Sequence, residues 1–216
     1  MNKLCCIVAA GPVRKNELSV PSGAFLIAAD AGLRPLRALG ITPDLIVGDF
    51  DSLGERPAGG NVVYHQPEKD DTDTMLAVRE GLARGYDRFL MYGALGGRLD
   101  HTLANLQTLA FLCEHGARGY LVGEGIAATA FRNGGISFRG GLRGTVSVFT
   151  LGADAAGVYE RGLRYPLSDY TMSAAFPIGV SNEFTGAPAE ISVRSGTLLV
   201  LWNADAINFE DFAEKQ

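Results

Sequence analysis

Six aspartates carry the types and spacing that could do chemistry in this chain: Asp30, Asp49, Asp51, Asp71, Asp73 and Asp100. Asp49 and Asp51 flank Phe50 in "LIVGDFDSLG" (45–54), where an apolar run meets Gly48. If this segment is extended, both side chains point the same way, because side chains alternate with period 2. Asp71 and Asp73 belong to "KDDTD" (69–73), and Asp100 to "GGRLDH" (96–101). At an effective dielectric near 20, two carboxylates about 5 Å apart repel by roughly 3 kcal/mol. A gathering of them calls for a divalent cation, and Mg²⁺ suits it. That ion takes oxygen ligands, keeps several waters, and bridges one or two carboxylates to substrate phosphates. Each aspartate alone also has a plainer reading. Asp100 ahead of a helix reads as an N-cap, Asp71 or Thr72 as the cap of the helix starting near Asp73, and Asp30 as the cap of the helix after the second strand. Their co-location is what favours a site.

The loop "YGALGGRLDH" (92–101) brings Gly93, Gly96 and Gly97 between a strand and a helix. Such a loop can turn backbone N–H groups toward phosphate. It lacks both the GxGxxG and the GxxxxGK[ST] spacing, so its weight comes from its neighbours. Arg98 offers a planar fork for phosphate oxygens, or else a surface ion pair. Lys69 is a similar cation. Gly11 in "AAGP" (9–12) makes a further turn, phosphate-facing or plain. His65, His101 and His115 have no ligand partner at helical spacing, and no serine or cysteine pairs with a histidine in a pattern for covalent catalysis.

The elements that must position these groups are legible in the apolar pattern. Strands are expected at Leu4–Ala10, Ala24–Ala29, Asp44–Val47, Val62–His65, Phe89–Tyr92 and Tyr120–Val122. Helices are expected at Leu33–Leu39, Thr72–Ala83 and Asp100–His115. Strand and helix alternate, and the strands are continuously apolar. That argues for a mostly parallel sheet with helices on both faces. Ligands bind such sheets beyond the carboxyl ends of the strands, where all the acidic clusters fall. From about Gly125 the texture changes to short segments with frequent glycines, as in "RNGGISFRGGLRGTVSVF" (132–149). This predicts an all-β second domain, a small sandwich, with the boundary between 1–123 and 124–216.

Composition excludes several classes. A net charge of −5 over 216 residues offers no basic stripe for nucleic acid. No apolar run is long enough for a spanning helix. The three cysteines, Cys5, Cys6 and Cys113, have no metal-type spacing and read as thiols of a cytoplasmic protein. An acidic protein handling an anionic substrate needs a local remedy, either an ion or a few placed cations.

Together, "ADAG" (29–32), "PDLIVGDFDSL" (43–53), "KDDTDTMLAV" (69–78), "GALGGRLDH" (93–101) and "GVSNEFTG" (179–186) resemble the bacterial thiamine pyrophosphokinases, with "SGTLLVLW" (195–202) a looser match. The resemblance spans nearly the whole chain in order. It implies an N-terminal Rossmann-like domain, a C-terminal β-sandwich, and a homodimer with active sites between subunits. It implies transfer of the diphosphate of ATP to the hydroxyl of thiamine, giving thiamine diphosphate and AMP, with Mg²⁺. By motif position, Asp49, Asp51 and Asp73 would hold metal and phosphates, with Asp100 beside them. Gly11, Asp30, Lys69, Thr72, Gly93, Leu95, Gly96, Gly97 and Arg98 would meet ATP. Ser181 and Asn182 would meet thiamine. Trp202 either stacks on thiamine or belongs to the core. Asp71, Asp73 and Asp100 are the candidate acceptors of the thiamine hydroxyl proton. Two other classes compete: another enzyme on this scaffold, either a pyrophosphokinase for a different alcohol or a nucleotide hydrolase, and a non-catalytic nucleotide sensor.

Overall fold

The structure, a computed structural model, describes residues 3–14, 17–51, 53–54, 57, 61–65, 71–204 and 206–215. The chain forms two compact units, one of residues 1–108 with 116–124, the other of 109–115 with 125–216.

The first unit holds six strands: β1 (Leu4–Val8), β2 (Phe25–Ala29), β3 (Leu45–Gly48), β4 (Val62–Tyr64), β5 (Arg88–Tyr92) and β6 (Arg118–Gly123). Their order is β6-β5-β1-β2-β3-β4, and every neighbouring pair is parallel. The strands are continuously apolar because they are buried; Cys5, Cys6, Ile7 and Val8 of β1 are fully so. Three helices accompany them: α1 (Leu33–Ala38), α2 (Asp73–Ala83) and α3 (Leu99–Glu114).

Register brings the strand ends level. Val8 pairs with Ala28 on one side and Tyr92 on the other, so the chain leaves β1, β2 and β5 side by side. Ala29 pairs with Val47, which sets the end of β3 beside Asp30. Because β1 has β2 on one flank and β5 on the other, strand order reverses at β1, and a crevice opens there.

The second unit is antiparallel. Its strands are β7 (Ile126–Arg132), β8 (Gly135–Phe138), β9 (Arg143–Thr150), β10 (Ala155–Arg161), β11 (Leu167–Met172), β12 (Asn182–Thr185), β13 (Ala189–Ser195), β14 (Thr197–Asn203) and β15 (Phe212–Lys215). One set runs β12-β9-β14-β7, the other β11-β10-β13-β8-β15. Their inward faces meet in an aromatic cluster. Phe138 of β8 lies edge-on to Phe184, Trp202 and Phe212, at 5.0, 5.5 and 6.1 Å between centroids.

Several boundaries differ from the sequence reading. β1 stops at Val8, two residues early, because the chain turns at Ala9–Gly11. α3 begins at Leu99, so Asp100 lies inside its first turn rather than ahead of it. The end of α3, residues 109–115, groups with the second unit, which no composition shift in the sequence marks. No helix among the described residues is long and apolar enough to cross a membrane.

Candidate active site

A cleft of about 440 Å³ opens in the first unit at the strand reversal. Its walls come from the segments leaving β1 (9–12), β2 (29–30) and β5 (93–94 and 96–98), from the start of α2 (71–74), and from His101 and Asn105 of α3. The loops after β1 and β5 touch backbone to backbone. Gly11 N–H donates to the Gly93 carbonyl at 2.9 Å. A Cβ on Gly11 would run into that same carbonyl, and one on Gly93, which has φ +64°, would lie 2.6 Å from the Ala9 carbonyl oxygen. Glycine is therefore required at both positions by the close approach. Asn105, 5% exposed, donates from Nδ2 to the Ala94 carbonyl at 2.8 Å and braces the β5 loop from α3.

Among the described residues the cleft gathers Asp30, Asp71 and Asp73 and the guanidinium of Arg98. Asp30 is 2% exposed, and its Oδ1 has no hydrogen-bond partner. The N-cap positions of the short 3-10 turn Asp30–Gly32 and of α1 fall on Ala29 and Gly32, so the capping reading of Asp30 does not hold. Asp71 pairs with Arg79, Nε to Oδ2 at 2.8 Å. Thr72 caps α2, its Oγ1 accepting from Met75 N–H at 3.2 Å, and Asp73 opens the helix. Arg98 and Asp100 form a two-point pair at 3.1 and 2.6 Å. The Arg98 hydrogen bonds hold the Asp100 carboxyl below its ordinary range and raise the guanidinium above its own.

Asp49 and Asp51 do not line this cleft. The extended segment expected there is a turn. Phe50 is buried with φ +66°, and Asp51 N–H donates to Asp49 Oδ1 at 3.1 Å. The two carboxylates therefore do not point the same way by strand alternation. They still lie just beyond Asp30, because Gly48 backs onto it; a Cβ at position 48 would sit 3.1 Å from Asp30 Cβ. Among the described residues no three acidic, histidine or cysteine side chains converge closely enough to share one ion. The donor type nevertheless fits Mg²⁺, which needs only one or two carboxylates when phosphates and waters complete its shell. The orphaned, buried Asp30 oxygen is the observation that asks for such a partner.

One further expected residue points elsewhere. Leu95 is buried and packs toward Gly123 instead of lining the cleft. Lys69 lies outside the described residues. Sequence reasoning missed Thr74 and Asn105 as cleft residues, while His101, beside Asp100, does reach the cleft. His101 and Asn105 stand four apart and so share one face of α3, which was the available signal.

The second unit holds a pocket of about 260 Å³ lined by Glu160, Tyr165–Leu167 and Ile178–Asn182. Ser181 is exposed there, with φ +59°. Of the six described non-glycine residues with positive φ, Asp30, Phe50 and Ser181 fall at expected site positions or between them. Such strain concentrates at working sites. Asn182 does something else. Its Nδ2 donates to Glu160 Oε2 at 2.8 Å and to the Tyr165 carbonyl at 2.7 Å. Its Oδ1 accepts from Tyr165 and Glu183 N–H at 3.0 and 2.9 Å. All four hydrogen-bonding positions of the amide are spent, so Asn182 shapes the pocket and has none left for a ligand. Trp202 is 6% exposed and packed edge-on to Phe138 and Phe212, which makes it a core residue.

Comparison with known proteins agrees with this arrangement. Residues 18–121 match the family described as "Thiamin pyrophosphokinase, catalytic domain", and residues 136–198 that described as "Thiamin pyrophosphokinase, vitamin B1 binding domain". The chain is 28% identical over 211 residues to the thiamine pyrophosphokinase of Bacillus subtilis, covering 92% of this chain and 98% of that one. A crystal structure of the Bacillus subtilis thiamine pyrophosphokinase superposes with a TM-score of 0.82 at 26% identity, covering 94% of this chain and 99% of the other. A crystal structure of the thiamin pyrophosphokinase of Geobacillus thermodenitrificans gives 0.79 at 23% identity, covering 93% and 97%, which speaks for the fold.

Proposed function

The chain belongs to the thiamine pyrophosphokinase family and makes thiamine diphosphate with ATP as co-substrate, and we propose that it does so by direct in-line attack in the cleft of the first unit. The observation that carries this reading is the meeting of a glycine loop, three carboxylates and one guanidinium at the strand reversal. In this reading residues 1–123 form a Rossmann-like ATP-binding domain, and residues 124–216 a thiamine-binding β-sandwich.

ATP lies along the Gly11–Gly93 contact and the Gly96–Arg98 turn. Among its described lining residues the cleft brings more carboxylates than guanidinium groups, which repels a triphosphate. Asp30 and Asp73 in the cleft, with Asp49 and Asp51 beside them, would hold Mg²⁺, which would supply charge neutralisation and orientation of the phosphates. Arg98 exchanges Asp100 for phosphate oxygens, a trade between equivalent two-point partners. The thiamine hydroxyl oxygen attacks the β-phosphorus as the bond to the α,β-bridging oxygen breaks and AMP leaves. The hydroxyl proton passes to a carboxylate. Asp71, Asp73 and Asp100 are the candidate acceptors. Most of the acceleration comes from positioning and charge.

Thiamine occupies the pocket beside Ser181. Tyr165, Phe176, Ile178 and Val180 expose apolar surface around it. That surface supports a homodimer in which the partner covers them. Cys5 and Cys6, buried as thiols, suit the cytoplasm.

Protein, ATP, Mg²⁺ and thiamine are mixed, and AMP and thiamine diphosphate are followed together. Equal, thiamine-dependent formation of both supports the proposal. AMP released without thiamine marks a hydrolase instead. Full turnover in excess chelator refutes the ion's role.

A further inference from the structure

One side chain in the second pocket has no part in the reading so far. Glu160 occupies an inward position on β10, is 1% exposed, and lines the pocket. Its Oε2 accepts from Asn182, while its Oε1 has no hydrogen-bond partner. A buried carboxyl with an idle oxygen is costly in either state. Ionised, it leaves charge uncompensated; protonated, it leaves an acceptor or a donor unused. No described residue around it relieves this. The Asn182 amide is saturated. Arg161 is paired with Glu190 at 3.1 Å and Arg164 with Glu183 at 2.9 Å, both exposed. The walls at Leu167, Ile178 and Val180 bring no charge, and Tyr165 and Ser181 bring only hydroxyls. Burial pushes the Glu160 carboxyl up to about 7, so both states are accessible near neutrality.

We infer that Glu160 is the specificity-determining residue of this pocket, the acceptor for a ring that carries a positive charge or an N–H donor. The inference rests on reading the pocket as the thiamine site. Thiamine offers both chemistries, a permanently cationic thiazolium and an aminopyrimidine. A neutral ring without donors would leave the idle oxygen idle and gain nothing from it.

Glu160→Gln keeps the shape and the acceptor toward Asn182. The thiamine KM should rise roughly tenfold or more, as for loss of a charged hydrogen bond, with the ATP KM unchanged. Two competitive analogues identify the group that meets Glu160, one with a neutral ring in place of the thiazolium, one with a carbonyl in place of the amino group. The analogue lacking that group should bind the wild type about tenfold more weakly than thiamine does, and the variant equally well. If Glu160→Gln does not fold, Glu160→Leu, of similar volume, takes its place. Ser181→Ala is measured in parallel. A raised thiamine KM in Ser181→Ala alone keeps the pocket and overturns the inference. Silence in both variants overturns the pocket assignment as well. Equal rises in both KM values with a lowered melting temperature would make Glu160 merely structural, and the inference wrong.

Discussion

Arg98 and Asp100, two residues apart at the start of α3, face each other in a two-point ion pair, Nε to Oδ1 at 3.1 Å and Nη2 to Oδ2 at 2.6 Å. Both are well exposed, so the pair adds little to stability. Its effect is to hold a guanidinium fork, already oriented for two oxygens, at the rim of the cleft. Arg98→Lys keeps the charge and loses the fork. Its ATP KM should rise roughly tenfold, the value of one charge-assisted hydrogen bond, with the thiamine KM and melting temperature unchanged. A larger effect on thiamine than on ATP would contradict the phosphate role.

Asp51 is exposed, and Asp73 sits in the first turn of α2. Neither supports the core, so Asn at either site should leave the fold intact. Asp73→Asn costs about 0.5 kcal/mol of helix-dipole interaction. Turnover should fall on the order of a hundredfold or more in each variant, as when a charge that stabilises the transition state is removed. Near-normal kcat in both, with Mg²⁺ saturating, would remove them from the site.

Asn182 and Ser181 are neighbours with opposite expectations. Asn182→Ala strands the Glu160 carboxyl and the Tyr165 N–H and carbonyl. It should cost about 2–3 kcal/mol of stability, read as a lower urea midpoint. Ser181→Ala should stay within about 0.5 kcal/mol of wild type. Equal stability of the two variants would mean that the amide network is not formed.

Glu160 also predicts a pH trend in stability. Burial raises its carboxyl to about 7 from an ordinary 4.5. The folded state therefore holds the proton more tightly than the unfolded chain does. That contribution is full below pH 4.5 and is lost as the pH rises through about 7. Glu160→Gln removes the trend. The stability of the variant relative to wild type should grow across this window, by roughly 3 kcal/mol at most. A constant difference from pH 4 to pH 8 would mean that Glu160 titrates alike in the folded and the unfolded chain.

Much of the first unit was legible because periodicity and punctuation are local. Continuous apolar runs such as Leu4–Val8 can only be buried strands, and the acidic clusters follow them directly. The cap at Thr72 and the glycines at 11 and 93 are short-range chemistry, so their neighbours announce them. Asp49 and Asp51 were recognised by type, but their geometry was not. Phe50 adopts a left-handed conformation that its side chain alone does not favour, and the turn aims the two carboxylates apart from strand alternation.

What the sequence determined by itself is the alternation of strand and helix, the change of texture near Gly125, and the identity of the residues that emerge at the strand ends. The tertiary structure decided which of them meet. Val8 paired with Ala28 and Tyr92 sets three loops level and makes the cleft. Contact across the second unit sends Trp202 into the aromatic cluster and saturates the Asn182 amide. The physical reason is range. Secondary structure follows from a residue and its near neighbours, whereas burial and hydrogen-bond satisfaction depend on partners far away in the chain, and only the folded register selects them.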